Sequence, residues 1–223
     1  QWVCVLSIAT FALSMIGTFL VRSGALTSVH SFASDPARGI FILAYIVITV
    51  GGALLLFAMR GQHLASNEVA TPASREGLIV LNNLFLITAC GSVLLGTLYP
   101  LVSEWLNDTK MTVGAPYFNL TFIPLMILPI IFAGIAPFTP WKKMVLSTLR
   151  KPLVPIAIAA VTAAILTFIM ASTHKAYAML GFTLAAWLAI ASIRLVITRN
   201  FRANLAVAIA HFGVAVFICG VTG

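Results

Sequence analysis

GIFILAYIVITVGGALLLFAM, residues 39–59, carries no charged side chain from end to end. At 1.5 Å per helical residue, an apolar run of about 20 residues crosses the ~30 Å hydrocarbon core of a bilayer. The strict apolar–polar alternation of a barrel strand is absent, which argues against an outer-membrane barrel. Six further runs of the same kind surround it: Trp2–Val21, Gly77–Val102, Leu120–Phe138, Pro152–Ser172, Ala176–Val196 and Ala203–Gly223. The pattern therefore predicts seven membrane spans. Composition agrees, with 61% hydrophobic and 8% charged residues and a mean hydropathy of +1.09, against roughly 25% charged in water-soluble domains. The expected fold is all-α: a polytopic integral membrane helix bundle, one transmembrane bundle over 1–223, with no soluble domain left over and no internal repeat.

The connectors set an orientation. Those after the odd spans hold Arg22, Arg38, Lys110 and Lys175. Those after the even spans hold Arg60, Arg75, Lys142, Lys143, Arg150, Lys151, Arg194, Arg199 and Arg202. The positive-inside rule places the richer set in the cytoplasm. The net charge of +8 is thereby read as orientation and contact with the lipid bilayer, not as nucleic-acid binding. Gln1–Val21 lacks the basic n-region of a signal peptide, and both ends of the chain break off in hydrocarbon, as expected for a piece of a larger protein. Cys4, Cys90 and Cys219 form no CxxC pair or metal spacing and are expected to be buried thiols.

The connector 22–38 is a different kind of sequence. Phased as a helix, Ser23, Thr27, Ser28, Ser31 and Ser34 share one arc, and Ala25, Leu26, Val29, Phe32 and Ala33 the other. That is the pattern of an amphipathic helix lying on the outer membrane face. His30 sits at the edge of the apolar arc, where it either hydrogen-bonds a neighbour or offers a neutral imidazole to a metal or haem iron. Ser34-Asp35-Pro36 supplies a start signal for the second span.

His211 falls near mid-membrane in the last span, where an ionisable residue is costly and marks a functional site by default. Ala208 and Ala215, one turn to either side, leave room for a close-packed helix or a flat macrocycle. A ligand, a proton relay and a structural hydrogen bond all fit. His63 and His174 read as solvated loop residues. Pro124, Pro129, Pro137 and Pro140 are expected to kink or break the fourth span, and Asn82 and Asn83 to bond between helices. Asn107-Asp108-Thr109 and Asn119-Leu120-Thr121 match a glycosylation pattern that is common by chance. All five carboxylates, Asp35, Glu68, Glu76, Glu104 and Asp108, lie in connectors, which lowers the odds of an ion-coupled transporter. No Walker loop, zincin motif or dinucleotide fingerprint occurs.

Four stretches, GTFLVRSGALTSVHSFASDPARG (17–39), GTLYPLV (96–102), VGAPYFN (113–119) and AHFGVAVFICGVTG (210–223), resemble the cytochrome c maturation haem lyases of the CcmF type. They follow the family's order and span most of the chain. The resemblance implies that His30 is an axial ligand of haem held at the outer face for thioether attachment to apocytochrome c at CxxCH, and hence the catalytic residue. It implies that His211 ligates a second, permanent b-type haem inside the bundle that supplies electrons, with quinol as their source. Two haem b sites are thus implied, with Arg22 and Arg38 as candidate partners of the propionates. The implied partners are apocytochrome c, a haem-delivery chaperone and other maturation subunits, and the implied location is a bacterial inner membrane with a periplasmic working face. The family's Trp-rich WGGWWFWDP-like segment, the partner histidines and the soluble outer domain have no counterpart in this sequence. The chain is therefore expected to match the central part of the family only, and to be inactive alone. Two rival readings stay open: a multi-span transporter or exporter, even of haem, and a non-catalytic scaffold subunit of a split lyase.

Overall fold

The computed structural model describes residues 1–24, 35–64, 74–108, 111–142, 146–170 and 176–222. Seven α-helices order them: α1 (Trp2–Ser23), α2 (Pro36–Arg60), α3 (Arg75–Asn107), α4 (Ala115–Ile135), α5 (Leu146–Met170), α6 (Ala176–Thr198) and α7 (Phe201–Thr222). Short 3-10 turns follow α2 (Gly61–Leu64) and α4 (Ala136–Phe138). No strand occurs among the described residues, and all seven helices are long and apolar enough to cross a membrane. The seven predicted runs thus become seven spans of a multi-pass, all-helical chain.

The chain divides into two compact units, residues 1–69 with 101–110 and residues 70–100 with 111–223. In the first, α1 and α2 pair antiparallel and are tied at both ends. The Gln1 side-chain amide donates to the Gly61 carbonyl at 3.0 Å, and the Asp35 N–H donates to the Arg22 carbonyl at 2.9 Å. A Cβ on Gly39 would stand 3.0 Å from the Ser23 backbone, so only glycine lets these helix ends meet so closely.

In the second unit α6 is central. Leu184, Ala185, Leu188, Ala191, Ser192 and Leu195 form one buried stripe along it, at the three- and four-residue spacing that places side chains on one helix face. Ala191 and Leu195 meet Ile156 and Leu149 of α5, Ala208 of α7, and Phe138. Small residues bring the helices close where lipid gives no hydrophobic reason to associate. The Trp187 indole N–H of α6 donates to the Ile131 carbonyl of α4 at 3.3 Å, and its ring lies against Gly134, where a Cβ would collide with it.

Hydroxyls within the spans serve their own helices. Ser7, Thr10, Thr49, Thr88, Thr162 and Ser192 each donate to the carbonyl four residues back, at 2.7–2.9 Å. In hydrocarbon this satisfies a polar group without a neighbour.

Three expectations are corrected. Cys90 and Cys219 are exposed on helix exteriors and Cys4 is half-buried, because an apolar span has a lipid side as well as a protein side. Pro124 and Pro129 do not break the fourth span, which runs through them as α4; the helix ends at Ile135, two residues before Pro137, as expected of that proline. Pro137 sits in the 3-10 turn that follows. Asn82 and Asn83 are half-buried, with no hydrogen bond between helices among the described residues.

Candidate functional site

The ends of the connector 22–38 are built from local chemistry. α1 stops at Gly24, whose φ of 74° is left-handed, the usual glycine helix stop. α2 starts at Asp35, held extended (φ −135°, ψ 100°) before Pro36, as a residue preceding proline must be. One Asp35 carboxylate oxygen accepts from the Ala37 and Arg38 N–H groups at 3.1 and 3.3 Å, which is the helix cap the sequence predicts. The other oxygen faces Arg38 Nε at 3.2 Å, with the arginine side chain 70% exposed.

Arg22 and Arg38, the two candidate propionate partners, therefore both flank Asp35, one through its backbone carbonyl and one through its side chain. Arg38 is engaged only at Nε, which leaves the outer edge of its guanidinium turned away from the protein. His30 and the amphipathic helix predicted around it lie outside the described residues, as does His174. His30 precedes Asp35 by five positions in the sequence.

His211 sits ten residues into α7, about 15 Å from Phe201 at 1.5 Å per residue, close to the middle of the helix. Its neighbours Ala208 and Ala215 are 5% and 2% exposed, so the face it borders is packed against the protein while the imidazole itself is half-buried. No residue hydrogen-bonds the imidazole among the described residues. A structural hydrogen bond, one of the sequence alternatives, has no counterpart here. Among the described residues, neither ring nitrogen has a hydrogen-bond partner. His63, by contrast, is exposed at the end of the turn after α2.

The donor set fits a macrocycle better than a bare ion. Among the described residues no three histidine, cysteine or carboxylate side chains converge on a common point, whereas an iron already held by four porphyrin nitrogens needs only axial ligands from the protein. His211 would offer one, from the margin of the packed face that holds Ala208 and Ala215.

Sequence reasoning missed several contacts between residues far apart in the chain. Arg75 stacks on Trp141 at 4.5 Å and donates its backbone N–H to the Pro140 carbonyl at 3.0 Å. Tyr117 donates its hydroxyl to the Ser92 carbonyl at 3.0 Å, and its ring fills the space over Gly96, where a Cβ would come within 2.5 Å. The stretches GTLYPLV and VGAPYFN thus meet, glycine against tyrosine. The signal was their common appearance as motifs, but nothing in either stretch names the other as its contact.

No family model matches the chain. A cytochrome c-type biogenesis protein of Rhizobium meliloti, CycK, is 44% identical over 94% of this chain and 31% of its own length. The cytochrome c-type biogenesis protein CcmF of Escherichia coli is 41% identical over 99% of this chain and 35% of its own. The chain thus spans about a third of the length of the curated relatives it matches. Among solved structures, one titled cytochrome c heme lyase CcmF aligns with 99% of this chain and 33% of its own at a TM-score of 0.70 and 22% identity, which establishes the shared fold.

Proposed function

We propose that this chain, similar to CcmF-type proteins over nearly all of its length, serves cytochrome c maturation as part of a haem lyase, holding haem at one membrane face and binding a second haem within the bundle. The observation that carries this reading is His211: mid-span, half-buried and without a hydrogen bond among the described residues. A resident b-type haem would supply reversible one-electron chemistry there, fed by quinol. The chain's own part is to present a neutral imidazole from a fixed helix, with Ala208 and Ala215 seating that helix in the bundle.

At the connector, His30 ligates substrate haem at the membrane edge. Asp35 holds the returning end of the connector to the Arg22 carbonyl and caps α2. Arg22 and Arg38 are placed beside that anchor to meet the propionates, Arg38 as a planar donor suited to carboxylate. Thioether formation then adds a cysteine S–H of the apocytochrome CxxCH across a haem vinyl group, so no group leaves and the protein's task is ligation and orientation. A haem-delivery chaperone and other maturation subunits complete the assembly in a bacterial inner membrane, with the working face periplasmic.

Optical spectra of the intact protein test the reading. His211→Ala is expected to abolish a reducible low-spin b-type signal, and an unchanged spectrum would remove His211 from the haem. His30→Ala is expected to keep that signal but lose holocytochrome c formation. Normal maturation in that variant would leave His30 a structural residue.

A further inference from the structure

The α1–α2 unit contains a cavity of about 700 Å³ that no part of the proposed haem chemistry uses. Ile8 and Val3 of α1 and Ala53, Leu56 and Phe57 of α2 form its walls. Arg60 and His63 stand at one end. From Ala53 to Arg60 the groove runs about 10 Å along α2. The end beside Arg60 is closed by the hydrogen bond from the Gln1 side chain to Gly61.

Neither Arg60 nor His63 has a hydrogen bond or ion pair among the described residues. Among the described residues, no carboxylate lines the cavity. The described acids of this unit are Asp35, Glu104 and Asp108, and Asp35 caps the opposite end of α2. An apolar trough ending in an unpartnered guanidinium and an imidazole fits an amphiphile with an anionic head. In a membrane-spanning hairpin whose arginine-bearing end lies at the lipid–water boundary, that amphiphile is a phospholipid of the adjoining leaflet.

We propose that this groove binds one anionic phospholipid, its phosphate on Arg60 and His63 and one acyl chain along Ile8, Leu56 and Phe57. The planar guanidinium pairs with two phosphate oxygens, and the imidazole N–H adds a third hydrogen bond. The headgroup charge supplies what the cavity lacks, and the acyl chain fills a trough that neither α1 nor α2 closes.

Native mass spectrometry of the intact protein, after exchange into detergent containing either phosphatidylglycerol or phosphatidylcholine, reads the occupancy. Phosphatidylglycerol should be retained and phosphatidylcholine largely lost. Retention should fall about tenfold or more in R60Q/H63N, the loss expected for one charge-assisted hydrogen bond. Ala53→Trp, which fills the trough and leaves both donors in place, should lower retention as much. Equal retention of the two lipids overturns the proposal, as does unchanged retention in R60Q/H63N, which alters only exposed side chains and should fold normally. A photoreactive side chain at Leu56 should crosslink to phospholipid. A crosslink to protein instead would show that another segment covers the groove and would also overturn it.

Discussion

α1 has no buried residue along its length, whereas α6 buries six along one stripe. The α1–α2 hairpin is held at its two ends, by hydrogen bonds and a capped helix start, and leaves its flanks exposed. The α5–α7 bundle is held along its middle, by interdigitated apolar side chains around Ile156, which is 0% exposed. The two proposed haem positions fall on opposite sides of this contrast. His30 belongs to a connector that is pinned at its ends, a suitable support for a group that must arrive and leave. His211 belongs to a helix fixed along its length, a suitable support for a group that stays.

Truncating the seam should break the contrast most sharply. Ile156→Ala or Leu195→Ala removes a fully buried side chain and is expected to cost about 2–5 kcal/mol. Leu55→Ala, at a 63% exposed position on α2, should stay within about 0.5 kcal/mol. Thermal unfolding in one detergent compares them, and equal losses of Tm would erase the distinction between the two units. Gly134→Ala is the next test. The new methyl group must displace the Trp187 ring and with it the bond to Ile131, at a cost of about 1–3 kcal/mol. Tryptophan fluorescence should change along with the lower Tm.

The smallest expected effect concerns the connector. Asp35→Ala removes the cap of α2 and should cost about 1 kcal/mol. Asp35→Asn keeps the cap, loses only an exposed ion pair worth well under 1 kcal/mol, and should restore most of the stability. Because the cap anchors the connector bearing His30, Asp35→Ala should also lower holocytochrome c yield while the b-type signal persists. A loss of that signal instead would mean that the two supports are not independent.

The spans were legible because hydrocarbon length is a property of the sequence alone, and each predicted run overlaps the helix it forecast. The cap at Asp35-Pro36 was legible for a similar reason: three consecutive residues contain the whole device. Which side of each helix faces protein was not legible. In a soluble protein the buried face is the apolar one, but here every face is apolar, so the stripe Leu184–Leu195 looks no different from the lipid-facing side, and Cys90 and Cys219 were placed inside when they lie outside. The absence of a hydrogen bond to His211 among the described residues was equally hidden, since it depends on what the neighbouring helices of its own unit bring near it. Gly96 and Tyr117 show the same limit. Each motif was visible, and their contact was created only by folding.

The seam on α6 also bears on how the protein is made. Its partners in α5 and α7 are the helices immediately before and after it in the chain, so its contacts are short in sequence and need no distant segment to wait for. As helices leave the translocon in order, α6 can settle on α5 as soon as it emerges. α7 then closes over Ala191 and Leu195 with Ala208, carrying His211 to its position in the same movement. The helix that bears His211 would thus settle after the surface that holds it has formed.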